Sequence, residues 1–178
     1  QQGMQGAIFQ MVAHGVITGA MFLLVGVIYE RTHDRTIAKM GGLGGRLPVF
    51  ATLMVFFSLA SAGLPGLAGF VGEFLVLLGA VEYQAVLGYI AAFTIIFAAV
   101  YLLFMIKNTI FGELSDFLKG LGKKLTDVDH VEILTLAPLV VLTILLGIFP
   151  ALILDLIAIP VDGVLSIVES VDTTGMLP

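Results

Sequence analysis

The chain has 178 residues, of which 59% are hydrophobic and 12% are charged, and its mean hydropathy is +1.11. A soluble domain of this size has no interior large enough to cover so much apolar surface, so the composition excludes a soluble enzyme. The formal net charge is −5 and the whole chain holds only eight basic residues, which argues against nucleic-acid binding.

Cysteine and histidine content limits the cofactor chemistry of this chain. It contains no cysteine, so it cannot form a disulfide, a thiolate metal site or an iron–sulfur cluster held by thiolates. Its three histidines, His14, His33 and His130, lie far apart without the spacing of paired metal ligands. We therefore expect no metal, no cofactor and no redox centre in this chain. It starts without methionine and without a signal-peptide pattern, so we also expect a fragment of a longer subunit.

Long apolar segments predict the fold class, an all-α integral membrane protein with four transmembrane elements. Each segment can cross about 30 Å of hydrocarbon at about 1.5 Å per residue, and lipid offers no partner for backbone groups outside a helix. The predicted transmembrane region covers residues 1–160, with spans over 4–29, 48–82, 84–107 and 132–157, loops over 30–47 and 108–131, and a C-terminal tail over 161–178.

The second element could form two full spans or one long discontinuous span broken near 63–69. One broken span places all eight basic residues in or beside the two loops on one side, whereas two spans divide them equally between the sides. The positive-inside tendency therefore favours one broken helix. It puts loops 30–47 and 108–131 on the cytoplasmic side and the acidic tail on the outer side.

The stretch GLPGLAGFVGEF, residues 63–74, combines a helix break with a carboxylate inside this second element. Glu73 precedes Glu82, at the outer boundary, by nine residues, which places it about 13 Å deep on a helical rise. A charge at a helix centre costs about 2.5–3.5 kcal/mol, and the usual solution is to face protein or a water-filled cavity. We expect Glu73 to carry protons. The alternative is a neutral glutamic acid that hydrogen-bonds a neighbouring helix for packing.

The break itself is predicted from one proline and three glycines. Pro65 has no amide hydrogen and obstructs the carbonyl four residues earlier, while Gly63, Gly66 and Gly69 let the backbone leave helical geometry. Unwound backbone at membrane depth is tolerated where it lines a polar cavity, and broken helices recur at ion sites of transporters. We expect the break and Glu73 to form one ion-handling site. An ordinary proline kink with glycines for close helix packing is the alternative.

His14 lies about 15 Å along the first span from Met4, also near the predicted midplane. An imidazole can accept a proton at one nitrogen and release one at the other, which suits a proton relay, although a buried packing role is the alternative. Gln10 and Thr18, one turn before and one turn after it, share its face and are candidates for holding water. Ser58 and Ser61, before the break, are further candidates for holding water.

Three stretches carry a resemblance to a known family. FQMVAHGVITGAMFLLVGVIYERTHDR (residues 9–35), GGL (41–43) and SAGLPGLAGFVGEFLVLLGA (61–80) resemble the C-terminal part of the antiporter-like M subunits, or chain 4 type, of respiratory complex I, the NADH:quinone oxidoreductase. Related antiporter-like subunits carry a lysine where this chain has Glu73, so the glutamate points to the M type. The resemblance covers essentially the whole chain, with little of it in the loop over 108–131 and after residue 160.

The resemblance implies a subunit of fourteen helices in two inverted repeats, each with a broken helix, of which this chain supplies the last four. It implies Glu73 as the terminal carboxylate of a proton half-channel and His14 on a central polar axis, with ordered water between such groups. The family's upstream lysines and glutamate have no counterpart in this chain.

At the level of the complex, the resemblance implies proton pumping in a bacterial inner membrane or an equivalent energy-transducing membrane. NADH, flavin, iron–sulfur clusters and quinone are then bound by partner subunits. The alternatives are a subunit of a multisubunit Na+/H+ antiporter or membrane-bound hydrogenase, and a structural helix bundle that anchors partner subunits.

Overall fold

The structure, a computed structural model, describes residues 1–173, and its regular elements there are all helical. They are α1 (Gln2–Thr32), α2 (Leu43–Arg46), α3 (Pro48–Ser61), α4 (Ala68–Tyr83), α5 (Ala85–Thr109), α6 (Asp116–Leu121), α7 (His130–Ile148) and α8 (Ala151–Thr173), with 3₁₀ turns at Ile37–Lys39 and Gly122–Lys124. Helices α1, α5, α7 and the Ala151–Val168 part of α8 are long and apolar enough to cross a membrane. The predicted class, an all-α integral membrane protein, is confirmed.

The central element is α1, which contacts α3, α4, α7 and α8. Its buried residues recur every three or four positions, as one face of a helix requires: Phe9, Ala13, Ile17, Ala20 and Leu24. Along α4 the two backbones approach closely at glycines. A Cβ added at Gly6 would lie 2.6 Å from the Cβ of Leu75, and one added at Gly79 would lie 2.5 Å from the Cα of Gly3. These contacts show that α4 runs antiparallel to α1.

Helices α3 and α4 follow each other along α1 in the opposite direction. The carboxylate of Asp127 accepts the N–H groups of Val49 at 2.8 Å and Phe50 at 3.0 Å, and Arg31 donates to the carbonyl of Asp127 at 3.1 Å. The start of α3 therefore lies beside the end of α1, whereas the end of α4 lies beside its start. With 14 and 16 residues, α3 and α4 traverse the length of α1 only together.

The end of α1 is tied to the start of α7 through Arg31. Its two terminal nitrogens each donate to one carboxylate oxygen of Glu132 at 2.8 Å, and its Nε donates to the carbonyl of Thr126 at 2.7 Å. Asp129 and Glu132 form a capping box at the first turn of α7. A planar guanidinium suits such a bidentate pair, so this network fixes how α1, α7 and the preceding loop meet.

The structure corrects two predicted boundaries. The fourth span, predicted over 132–157, is divided between α7 and α8 because Pro150 has no amide hydrogen and Phe149 before it adopts φ −121° and ψ 63°, outside the helical region. The tail predicted over 161–178 is helical through residue 173, since α8 continues past Pro160 with apolar side chains. Residues 174–178 lie outside the described part, as do the side chains of Glu169 and Asp172.

Candidate functional site

The segment between α3 and α4, residues 62–67, is the non-helical part of the predicted broken element. The N–H of Leu64 donates to the carbonyl of Leu59 at 3.0 Å and that of Gly63 donates to the carbonyl of Ala60 at 3.4 Å. These two bonds with Gly63 at φ +77° form a Schellman ending for α3, and the left-handed backbone explains the glycine. Pro65 and then Gly66, at φ +93°, prevent the helix from resuming before Ala68.

The carboxylate of Glu73 lies against this break. A Cβ added at Gly63 would lie only 2.5 Å from Oε2 of Glu73. The space that the carboxylate occupies therefore exists because residue 63 has no side chain. Gly69, in the first turn of α4, packs against the last turn of α3, since a Cβ there would lie 2.1 Å from the carbonyl oxygen of Ala60.

The second oxygen of Glu73 faces α1. Nε2 of Gln10 donates to Oε1 of Glu73 at 3.4 Å, a long hydrogen bond. The two helices approach closely at this level, because a Cβ added at Gly72 would lie 2.4 Å from Oε1 of Gln10. That amide oxygen is buried and has no partner among the described residues. A buried acceptor without a protein partner is the kind of group that ordered water satisfies.

A cleft of about 310 Å³ opens beside this pair between α1, α4 and α5. Its lining is mostly apolar, and its hydrogen-bonding side chains are those of Gln10, Glu73 and Thr94. Thr94 is not among the residues predicted from the sequence. The available signal was that Thr94 is the only hydrogen-bonding side chain between Tyr89 and Tyr101 in an apolar segment.

The structure does not bring His14 to Glu73. His14 is exposed on α1, one turn beyond Gln10, and the cleft beside Glu73 is lined without it. The hydroxyl of Thr18 donates to the backbone carbonyl of His14. Gly15, beside His14, has open space where a side chain would stand, so this face of α1 is uncovered by the described residues.

The remaining predicted residues lie around the break. Ser58 is fully buried in α3 and its hydroxyl has no partner among residues 1–173, whereas Ser61 is half-buried. Beyond Gly66 lies α7, since a Cβ added at Gly147 would lie 2.3 Å from the carbonyl oxygen of Gly66 and 2.5 Å from the Cα of Leu67. The last turn of α7 therefore packs directly on the backbone of the break.

Comparison with known proteins places this arrangement in context. A family model described as NADH:quinone oxidoreductase/Mrp antiporter, transmembrane, matches residues 1–98, more than half of the chain. NADH-quinone oxidoreductase subunit M of Rhodobacter capsulatus is 48% identical over 157 residues, which are 88% of this chain and 30% of that protein. NADH-ubiquinone oxidoreductase chain 4 of Marchantia polymorpha is 36% identical over 154 residues, 86% of this chain and 30% of that protein.

A solved structure shows the same fold. Respiratory complex I from Thermus thermophilus with bound NADH contains a chain that matches with a TM-score of 0.76 and 36% identity, over 86% of this chain and 32% of that one. The chain thus spans about a third of the length of the relatives it matches.

Proposed function

The chain belongs to the family of transmembrane subunits of NADH:quinone oxidoreductases and Mrp antiporters, and we propose that it is the C-terminal part of a proton-translocating M subunit of respiratory complex I. The observation that carries the proposal is the carboxylate of Glu73 held between the α3–α4 break and Gln10. In this proposal the complex resides in the bacterial inner membrane or an equivalent energy-transducing membrane. NADH, flavin, iron–sulfur clusters and quinone act in partner subunits.

Glu73 is proposed as the proton carrier. Its Oε2 lies at the break and its Oε1 faces Gln10 and the cleft, so one carboxyl group touches two different surroundings. A proton can therefore arrive at one oxygen and leave from the other. Protonation also removes the charge of a group that is costly to keep ionised within a membrane.

The other predicted site residues support this carrier in the proposal. Gly63, Pro65, Gly66 and Gly69 shape the break, and the carboxylate lies against Gly63. Gln10, Thr18, Ser58 and Ser61 bind water, and the unpartnered atoms of Gln10 and Ser58 support this role. His14 lies about 6 Å along α1 from Gln10 and relays protons through that water from the uncovered face of α1.

The experiment uses the full-length parent subunit in its complex, in sealed membrane vesicles, with Glu73→Gln and Glu73→Asp beside the unmodified protein. We expect glutamine to lower proton pumping at least about tenfold at normal assembly, because a positioned acid–base group contributes roughly 10²–10⁴-fold. Aspartate, which keeps an ionisable group, should retain much of the pumping. Electron transfer to quinone and subunit content are measured in the same vesicles.

Normal pumping with glutamine at position 73 would make the carboxylate structural and favour an anchoring helix bundle. A second candidate, a subunit of a Na+/H+ antiporter, is favoured by the family description, which includes Mrp antiporters. Pumping that requires added sodium would support that candidate, and pumping that is unchanged without sodium would support complex I.

A further inference from the structure

Three helices each contribute one polar side chain to the cleft beside Glu73. They are Gln10 from α1, Glu73 from α4 and Thr94 from α5, and the rest of the lining is apolar, with Val76, Leu77, Ala91, Ile95 and Ala98. On α5, Thr94 carries the one hydrogen-bonding side chain between Tyr89 and Tyr101, and it is one of the residues that line the cleft.

Glu73 and Thr94 lie at nearly the same height. Helices α4 and α5 cross closely near their connection, where a Cβ added at Gly88 would lie 2.8 Å from the Cα of Val81. From that crossing, Glu73 is about 12 Å and Thr94 about 9 Å along the respective helix, on the rise of an α-helix. Thr94 is thus slightly closer to the end of the bundle that carries Glu82 and Gln84.

The hydrogen-bond inventory of the cleft fits a bound water. The hydroxyl of Thr94 donates to the carbonyl of Ala91 at 2.6 Å, so its own proton is committed and its oxygen retains capacity to accept. Gln10 supplies a donor and Glu73 either a donor or an acceptor. Thr94 is exposed, so it borders the open side of the cleft, and Gln10, Glu73 and Thr94 are the three polar groups that the cleft offers to an ordered water. About 310 Å³ is ample for several waters at roughly 30 Å³ each.

We propose that Thr94 is a positioning residue for proton release from Glu73, an inference that rests on the proposed function of Glu73. Its oxygen accepts a hydrogen bond from a water that contacts the Glu73 carboxyl group. When the proton leaves, the O–H bond of the carboxyl group breaks, an O–H bond forms on the water and a carboxylate is left behind. Thr94 keeps its own proton and orients the acceptor water toward the Glu82 end of the bundle.

The test compares Thr94→Val and Thr94→Ser in the full-length subunit within its complex. Valine keeps the shape and removes the hydroxyl, whereas serine keeps the hydroxyl and loses a methyl group. We expect valine to lower the proton-pumping rate about fivefold, the size of effect expected for one hydrogen bond, and serine to stay within about twofold of the unmodified protein. A packing role predicts the reverse order, with valine active and serine impaired.

Thr109→Val is the matched control, because Thr109 lies at the other end of α5 and its hydroxyl also donates to a backbone carbonyl, that of Met105 at 2.8 Å. It should leave pumping unchanged. If valine at position 94 prevents assembly, Thr94→Ala against Thr94→Ser decides the same question, since these variants differ only by the hydroxyl.

Glu73→Gln is measured in the same series. Normal pumping by Glu73→Gln overturns the proposed function itself. Loss of pumping by Glu73→Gln together with unmodified rates for Thr94→Val overturns only the role of Thr94.

Discussion

Gly63 has two independent reasons to be glycine. Its φ of +77° lies in the left-handed region, and the position of its missing Cβ is 2.5 Å from the carboxylate of Glu73. Gly66 has only the first reason, because its φ is +93° but its side-chain position faces open space. Substitutions at these two glycines therefore distinguish the effect of backbone strain from the effect of contact with Glu73, the proposed proton carrier.

We predict that Gly63→Ala lowers proton pumping several-fold more than Gly66→Ala at equal assembly. Both substitutions carry the strain of a left-handed alanine, about 1–2 kcal/mol. Only the first pushes the Glu73 carboxylate away from the break. Pumping rates and subunit content in vesicles measure the difference. Equal pumping by the two variants would show that the contact of Glu73 with residue 63 does not matter for transport.

At the residue scale, the sequence predicted Glu73 and the break from chemistry but not which neighbour Glu73 meets. Gln10 and His14 are one turn apart and share a face of α1, so spacing alone treats them alike. Close approach at Gly72 turns Gln10 toward Glu73, while His14 remains exposed. The sequence marks Thr94 as a lone hydroxyl in an apolar segment, but its place in the cleft could not be predicted because the cleft exists only where three helices meet.

At the element scale, the break between α3 and α4 is covered by the last turn of α7. Gly147 has backbone atoms of Gly66 and Leu67 within 2.3–2.6 Å of its missing Cβ. Helix α7 ends at Ile148, directly after this contact. The two interruptions, at 62–67 and at Phe149 and Pro150, therefore lie near the same level of the bundle.

We predict that Gly147→Ala destabilises the subunit by about 1–3 kcal/mol, the usual cost of overpacking, because backbone atoms cannot move aside as a side-chain tip can. Gly163→Ala is the matched control. Gly163 also lies in a helix but has open space around its side-chain position, so alanine there should be neutral or stabilising by up to about 1 kcal/mol. The temperature at which the subunit leaves the detergent-solubilised complex compares them. Similar temperatures for the two variants would rule out a tight contact at Gly147.

The α7–α8 division shows why element boundaries were less predictable than element type. Apolar length correctly predicted membrane helices, but α7 contains Pro138 and α8 contains Pro160 without ending there. Of the three prolines in 132–160, only Pro150 lies at a boundary between helices. A proline allows a helix to end but does not require it. The interruption at Pro150 comes directly after Gly147 of α7 packs against Gly66 and Leu67.

At the scale of the whole molecule, the helices bring all the basic residues to one end. The end of α1, the start of α3 and the start of α7 meet at Arg31, Asp127 and Glu132. The end of α5 joins them, since the N–H of Gly44 donates to the carbonyl of Ile110 at 2.9 Å. At the opposite end, Gln1 donates to the carboxylate of Asp162 at 2.6 Å. The start of α3 lies at the basic end and the end of α4 at the opposite end. One broken crossing over 48–82 stays the prediction that the charge asymmetry favours.

That topology gives a direct labelling prediction, because the chain contains no cysteine and single cysteines serve as unique probes. Arg35, Lys123 and Gln84 are exposed in the two basic loops and at the α4–α5 connection. In a parent subunit whose other cysteines are replaced, a membrane-impermeant maleimide should label Arg35→Cys and Lys123→Cys from the cytoplasmic side only. Gln84→Cys should react from the outer side only.

The pair Arg35→Cys and Lys123→Cys decides between the two topologies. Vesicles of both orientations that contain the cysteine-free parent subunit give the background labelling. Two full crossings over 48–82 would put these cysteines on opposite sides, whereas one broken crossing puts them on the same side. Labelling from opposite sides would therefore refute the broken helix and remove Glu73 from the predicted depth, because its distance from the boundary follows from that crossing. Labelling from one side leaves Glu73 within the membrane, where its ionisation is costly and its proton chemistry is useful.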